Sequence, residues 1–234
     1  MAAPASNRPL IPAGSLMARL VEAAADDWRA YVEHEFVQQL GHGPLPEASF
    51  RHYLGQDYLF LIHFARAYAL AVYKSETLAD MRQAATIVNG LLDVEMRLHV
   101  EFCAGWGLDE AAMEALPEAT ATMAYTRYVL EKGLSGDVLD LYAALAPCVV
   151  GYGEIGARLA AQPEAALAAN PYRAWIEMYA GEEYREVAAG AVAQLDRLAE
   201  ARLTEARFPA LSKTFAQATK LEAAFWQMGL GLES

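Results

Sequence analysis

Hydrophobic positions along the chain recur every three to four residues, which is the spacing of one face of an α-helix. Runs of β-branched residues are almost absent, and Ala, Leu, Glu, Gln and Met are abundant. The pattern predicts nine helical segments separated by turn-forming residues. They cover residues 15–40, 48–74, 77–103, 109–115, 120–132, 137–162, 171–180, 182–202 and 209–229. We therefore expect a single all-α domain, a helical bundle over residues 1–234, with residues 1–8 as a loose N-terminal tail.

The second predicted helix carries an acidic residue on its apolar face. Asp57 lies one turn after Tyr53, on a stripe that continues through Phe60, Phe64 and Tyr68. A carboxylate on a core-facing stripe must be satisfied by some partner. Pairing with an arginine or a tyrosine hydroxyl and binding of a ligand are both open interpretations of Asp57.

The helix over 137–162 places a thiol on its apolar stripe. Cys148 lies one turn before Tyr152 and directly after Pro147, whose missing N–H interrupts the helical hydrogen bonds. A thiol at such a point can be directed into a cavity, although a lone buried cysteine is more often an inert hydrophobic residue.

The last predicted helix also carries an acid among apolar neighbours. Glu222 shares a face with Phe215, Ala218 and Phe225. Burial would raise the pKa of this carboxyl and suit it to proton transfer at neutral pH, and a purely structural buried Glu is the alternative.

Two further motifs have simpler interpretations. GYGEIG at 151–156 matches the dinucleotide pattern GxGxxG, but the helical stripe runs through it. Small residues that permit close packing of helices, or that leave room for a ligand, are therefore favoured over a dinucleotide site. Glu95 and His99 are spaced as a helical pair, and all five histidines lie before residue 100. A structural hydrogen bond between Glu95 and His99 is favoured over a metal site, and we predict no metal and no cofactor.

Charge and cysteine content restrict the functional classes. The chain has 18 Lys and Arg against 30 Asp and Glu, a net charge of −12, which disfavours nucleic acid and acidic membrane surfaces as partners. The cysteines, Cys103 and Cys148, form no disulfide framework or zinc motif. The N-terminus has no signal-peptide pattern, and the apolar stretch 141–153 is too short to span a bilayer. We expect a cytoplasmic protein.

Several segments together resemble the TenA, or thiaminase II, family. They occur in family order with similar separations, cover most of the chain after residue 15, and read YLGQDYLFLIHFARAYA, AYTRYVL, LAPCVVGYGEIG, NPYRAWIEMYAGEEY and LEAAFWQMGL. The combination of LAPC with the ending E-x-x-FW-x-M is specific, whereas single helical segments would not be. The cysteine places the chain in the cysteine-bearing branch of the family.

The resemblance implies a fold, a reaction and a set of roles. It implies a heme-oxygenase-like fold without heme, assembled as a homotetramer. The implied reaction, part of thiamin salvage, is hydrolysis of 4-amino-5-aminomethyl-2-methylpyrimidine to the hydroxymethyl pyrimidine and ammonia. Cleavage of thiamin is implied as a second activity. Cys148 would be the nucleophile and Glu222 the acid/base. The implied substrate-binding residues are Asp57, Phe60, Tyr125, Tyr152, Tyr179 and Phe225; Tyr179 is the least certain match, since the preceding 162–170 loop is expected to carry an insertion.

Two alternatives from other classes stay open. One is a metal-dependent oxygenase of heme-oxygenase-like fold that uses Glu95 and His99 with further carboxylates. The other is a non-catalytic pyrimidine-binding or regulatory protein. Metal content would identify the first, and tight pyrimidine binding without turnover would identify the second.

Overall fold

The computed structural model describes residues 9–234, apart from the side chain of Val94. These residues form thirteen α-helices and a π-helical turn, and they contain no β-strand. The helices are α1 (Leu16–Ala23), α2 (Ala25–Val32), α3 (Glu35–His42), α4 (Glu47–Lys74), α5 (Leu78–Gly90), α6 (Met96–Ala104), α7 (Glu110–Glu114), α8 (Thr120–Ser135), α9 (Val138–Ala160), α10 (Glu164–Ala169), α11 (Arg173–Ala180), α12 (Glu182–Arg202) and α13 (Phe208–Gly231). The π-helical turn, Leu91–Glu95, joins α5 to α6. The all-α prediction is confirmed; the predicted tail 1–8 lies outside the described residues.

Helix α9 lies at the centre of the bundle, in contact with α2, α4, α8, α11, α12 and α13. A capping box at Asp137 and Asp140 begins the helix. Its length and hydropathy would suffice to cross a membrane, but 83% of its most apolar window is buried inside the bundle. The apolar surface of α9 is therefore accounted for by packing against its neighbours.

Glycines on α9 allow this close packing. A Cβ atom at Gly151 would lie 2.2 Å from Cε1 of Tyr31 on α2, and one at Gly156 would lie 2.5 Å from the carbonyl carbon of Tyr179 on α11. Both separations are too short for real atoms, so the GYGEIG motif is a helix-packing motif, as the sequence favoured.

The predicted helix over 15–40 was wrong as a single element. The backbone leaves helical geometry at Ala24 and Glu33, and the imidazole of His34 accepts a hydrogen bond from the N–H of Phe36, which caps α3. Neither break contains Gly or Pro, so no local residue pattern predicts either of them.

Two other predicted boundaries also change. The segment predicted as a loop between 162 and 171 contains α10, which begins directly after Pro163. The predicted helix 77–103 begins as expected, with the Thr77 hydroxyl accepting from the N–H of Asp80, but the π-helical turn interrupts it. This turn shifts the register, so Leu92 is half exposed while His99 is buried.

Adding a methyl group at Gly156 tests the packing of α9 against α11. Because the new atom would meet backbone, Gly156→Ala should lower the free energy of unfolding by about 1–3 kcal/mol. Gly190→Ala on α12, where no atom lies within 4 Å, is the matched control and should stabilise by up to about 1 kcal/mol. Urea unfolding measures both, and equal effects of the two substitutions would contradict the close-packing account.

Candidate active site

Five helices bring the predicted functional side chains to one region of the interior. Helix α4 supplies Asp57 and Phe60, α8 supplies Tyr125, α9 supplies Cys148 and Tyr152, α11 supplies Tyr179, and α13 supplies Glu222 and Phe225. Except for Cys148, which is partly buried, all of these residues are buried. The three apolar stripes predicted on α4, α9 and α13 therefore face one another, as amphipathic helices of a bundle do.

The thiol of Cys148 and the carboxyl of Glu222 lie close enough to influence each other's pKa. The hydroxyl of Tyr125 donates to Oε1 of Glu222 over 2.8 Å. Burial, opposed by the hydrogen bond from Tyr125, raises the pKa of Glu222 to about 8. Burial and the nearby carboxylates, Glu222 foremost, also raise the pKa of Cys148 well above its usual value. At rest the pair therefore consists of a neutral thiol beside a carboxyl that titrates near neutrality.

Pro147 lies directly before the thiol on α9. Proline has no N–H, so the helical hydrogen bond that residue 147 would donate is missing. The hydroxyl of Tyr31 donates to the carbonyl of Pro147 over 3.3 Å. The backbone beside Cys148 is thus held from α2, whose Tyr31 ring also packs on Gly151.

Asp57 is held by a second network on the other side of the site. Its Oδ2 accepts from the hydroxyl of Tyr53 at 3.2 Å and lies 2.7 Å from Nε2 of His99. The Tyr53 hydroxyl in turn accepts from Nε1 of Trp175 at 3.3 Å. Asp57 is 4% exposed and His99 is 2% exposed. Asp57 therefore has the tyrosine partner that the sequence allowed, and ligand binding by Asp57 stays a prediction.

Aromatic rings surround the two polar networks. The Phe60 ring lies 5.0 Å from the Tyr125 ring and 5.8 Å from the Phe225 ring, measured between centroids. The Tyr152 ring lies 4.9 Å from the Tyr179 ring. Apolar ring faces exclude water, which strengthens each electrostatic interaction among the polar groups.

A cavity of about 350 Å³ opens onto this region from the surface, a size that suits a small molecule. Cys148 and Tyr179 lie in its wall, together with Glu95 and Tyr184. The remaining wall is largely apolar and includes Leu61, Phe64, Ile87, Leu91, Leu98, Val149, Met178 and Val187. The other predicted site residues are buried and are not part of this wall. Cys148 lies in the wall, and its pKa is affected by buried Glu222.

Sequence reasoning missed the partners of the predicted residues. The sequence predicts a hydrogen bond between Glu95 and His99, with a metal site as the alternative; Nδ1 of His99 does bond to Glu95, but to the backbone carbonyl at 2.9 Å. The carboxylate of Glu95 instead accepts from the hydroxyl of Tyr179 at 3.5 Å. Burial raises the pKa of Glu95 to about 7. The helical stripe pointed to His99, but no pattern could show which helix it would face.

His99 has no lone pair to offer a metal in this arrangement, because Nδ1 bonds to Glu95 and Nε2 bonds to Asp57. Within residues 9–234, no three His, Cys, Asp or Glu side chains are grouped as metal ligands would be.

Comparison with known proteins matches residues 22–232 to the model of the TENA/THI-4/PQQC family. The chain belongs to this family. A Halalkalibacterium halodurans protein named aminopyrimidine aminohydrolase is 37% identical, over 92% of this chain and 95% of its own length. Saccharomyces cerevisiae hydroxymethylpyrimidine/phosphomethylpyrimidine kinase THI20 is 30% identical over 95% of this chain, which spans 41% of that relative.

Solved structures agree with this family and with its fold. A structure from Silicibacter sp. TM1040, described as a TenA family transcription regulator, has a TM-score of 0.88 and 47% identity, and the match covers 94% of this chain and 98% of that one. A Shewanella denitrificans domain described as having a heme oxygenase-like fold has a TM-score of 0.72 at 13% identity, covering 92% of each chain. The fold is therefore heme-oxygenase-like, as the resemblance implied.

The buried carboxyl of Glu222 should make stability depend on pH. Between pH 4.5 and about 8, the folded protein retains a proton on Glu222 that the unfolded chain has lost, so the free energy of unfolding falls as pH rises. Glu222→Gln removes this contribution, and its stability should fall less between pH 5 and 8, by on the order of 1–3 kcal/mol. Glu101→Gln, at an exposed position, is the control. The measurement is urea unfolding at a series of pH values across this range. Parallel plots of unfolding free energy against pH for wild type and Glu222→Gln would refute a raised pKa of Glu222.

Proposed function

We propose that the protein is a hydrolase of thiamin salvage, an aminopyrimidine aminohydrolase that converts 4-amino-5-aminomethyl-2-methylpyrimidine and water to the hydroxymethyl pyrimidine and ammonia. The observation that carries the proposal is a cavity-wall thiol, Cys148, close to a buried carboxyl, Glu222, whose pKa is raised to about 8. This is the arrangement of a nucleophile with its base. The halodurans relative bears the name of this activity.

The first step is addition of the Cys148 sulfur to C6 of the pyrimidine ring. Because the pKa of the thiol is raised, the resting thiol is not a thiolate, and its proton must leave as the S–C bond forms. Glu222, the charged group with the largest effect on the pKa of the thiol, accepts that proton. The carboxyl therefore acts as a base before it acts as an acid.

Asp57 orients the ring during this addition. The electron pair displaced by sulfur moves onto a ring nitrogen, and the Asp57 carboxylate accepts a hydrogen bond from the amino group of the amidine edge. When ammonia later leaves, the electron pair that expels it comes from this amino nitrogen, and the carboxylate stabilises the positive charge that the nitrogen acquires. Tyr53 and His99 hold that carboxyl in place, both through hydrogen bonds to Oδ2. Phe60 and Tyr152, on α4 and α9, contribute ring faces against which a flat heterocycle can stack.

The second half of the reaction exchanges ammonia for water. The C–N bond to the methylene breaks, and the departing nitrogen takes the proton from Glu222, leaving an exocyclic double bond. Water then adds to the methylene and gives a proton to Glu222, and the sulfur leaves C6 as the aromatic ring is restored. The proton returns to the sulfur, so the enzyme ends as it began.

The outer cavity bears on substrate range. Its largely apolar wall extends beyond Cys148 and has room for a leaving group larger than ammonia, which supports thiamin as a second substrate. The product would be a hydroxymethyl pyrimidine, and such a compound is named in the activity of the yeast relative. We retain the cytoplasmic location and the homotetramer as parts of the proposal.

Replacing the nucleophile tests the chemistry directly. Cys148→Ser should reduce ammonia release from the aminomethyl pyrimidine by on the order of 10³-fold or more, since removal of a nucleophile disables the whole catalytic group. The matched control is Cys103→Ala, which alters the other cysteine, also buried, and should retain most activity. Equal losses of ammonia release in Cys148→Ser and Cys103→Ala, with both variants folded, would contradict the assignment of Cys148 as the nucleophile. Wild-type protein that binds the pyrimidine without turnover would favour the regulatory alternative, the role in which the Silicibacter protein is described.

Replacing Glu222 by Gln should separate binding from turnover. Gln keeps the size and hydrogen-bonding capacity of Glu222 but cannot carry a proton, so turnover should fall at least ~10²-fold while the product still binds. In the wild type kcat/KM should rise with pH as Glu222 ionises near pH 8, and this limb should be missing in the variant. The measurement is ammonia release from pH 6 to 9; an unchanged profile would mean that another group moves the proton.

A further inference from the structure

The imidazole of His99 is fixed by two hydrogen bonds of opposite character. Nδ1 lies 2.9 Å from the backbone carbonyl of Glu95, which can only accept, so Nδ1 carries a hydrogen. Nε2 lies 2.7 Å from Oδ2 of Asp57, a distance typical of a charge-assisted bond. One proton therefore lies between His99 and Asp57, and its location decides whether the carboxyl is ionised.

The surroundings favour the ionised pair. Oδ2 of Asp57 also accepts from the hydroxyl of Tyr53, and two donors directed at one oxygen stabilise a carboxylate. Burial opposes a charged imidazole, but the hydrogen bond and charge of Asp57 outweigh it and raise the pKa of His99. Other titratable groups that act on the pair or on its Tyr53 partner are Glu95, Cys148, Tyr152, Tyr179 and Glu222.

The π-helical turn makes this contact possible. In an uninterrupted helix, Leu92 would share the face of His99, yet Leu92 is half exposed and His99 is 2% exposed. The extra residue in the turn rotates α6 so that His99 faces Asp57 on α4. π-helical turns occur frequently at functional sites. The presence of this turn therefore supports a role for His99 independently of its hydrogen bonds.

We propose that His99 is a positioning residue that acts through Asp57. As an imidazolium held by the carbonyl of Glu95, it keeps Asp57 ionised and occupies Oδ2 of that carboxylate. Oδ1 of Asp57 is then left to bind the amidine edge of the pyrimidine. Only the identity of this ligand rests on the proposed function. The ion pair also keeps the Asp57 side of the site neutral overall, so the ligand need not bring a positive charge to that edge.

The protonation state of His99 can be measured without any substrate. In protein labelled with ¹⁵N-histidine, and with the His99 signals assigned by their loss in His99→Gln, both ring nitrogens should be protonated at pH 7. His99 should lose its proton at higher pH than His34 and His63, whose pKa values are lowered by burial. A neutral His99 ring at pH 7 would overturn the proposal, whether or not the protein releases ammonia.

A double-mutant cycle tests the functional consequence. Product affinity, with the hydroxymethyl pyrimidine as probe, and kcat/KM are measured for wild type, His99→Gln, Asp57→Asn and the double variant. His99→Gln, which keeps a donor but not the charge, should weaken both quantities by at least ~10-fold in wild type and by less than ~2-fold in Asp57→Asn, because the two residues act as one unit.

Controls separate this role from a merely structural one. His52→Gln, at a ring bonded to the backbone carbonyl of Glu233, should leave both quantities unchanged. Equal losses from His99→Gln in the two backgrounds would mean that His99 acts independently of Asp57 and would overturn the proposal. Thermal unfolding of each variant identifies losses due to misfolding. If wild type releases no ammonia but the probe shows the same coupling, the proposed reaction fails while the role of His99 stands.

Discussion

The site depends on the exclusion of water from the thiol of Cys148 and the carboxyl of Glu222. In water Glu222 would be ionised at neutral pH. In the interior, burial raises the pKa of both groups, so at rest the thiol keeps its proton and Glu222 gains or loses one near neutral pH. The rings of Phe60 and Phe225 belong to the apolar surroundings that make this possible. A polar substitution near Cys148 and Glu222 would therefore change the pKa values of these two groups even if it altered no contact with a ligand.

That exclusion requires close packing around α9. Gly151 and Gly156 let Tyr31 and the backbone of Tyr179 approach the helix more closely than any larger residue would allow. The Tyr31 side chain has two functions here, because its ring fills the space above Gly151 and its hydroxyl bonds to the carbonyl of Pro147. The contacts that close the bundle thus also fix the backbone on either side of Cys148, and the position of its thiol follows from the packing of the core.

The sequence predicted most of what depends on helical periodicity. The stripes through Asp57, Cys148 and Glu222 are buried and converge, because burial of an amphipathic face is the dominant requirement in a helical bundle. The failures occur where tertiary contacts override local preference. Helix 15–40 is broken at Ala24 and Glu33 without Gly or Pro.

The π-helical turn explains why part of the site could not be predicted. An inserted residue has no compositional signature, so the stripe through Leu92, Glu95 and His99 assumed a regular helix that the structure does not have. Periodicity identified His99 as core-facing, but not its partner, since partners depend on how two distant helices are rotated against each other. Family resemblance supplied roles for Cys148 and Glu222, whereas the network behind Asp57 required the structure.

The two buried acids of the site have different environments, and this contrast fits the tasks proposed for them. Asp57 receives hydrogen bonds from Tyr53 and His99, and the proposed imidazolium of His99 would bring positive charge to it. Glu222 receives one from the hydroxyl of Tyr125, a neutral donor. A cation beside a carboxylate favours its charged form, whereas a carboxyl with a neutral donor in an apolar setting can gain and lose a proton near neutral pH. A single interior can thus present two different environments to its carboxyls, because the difference lies in the donors that each helix presents to them.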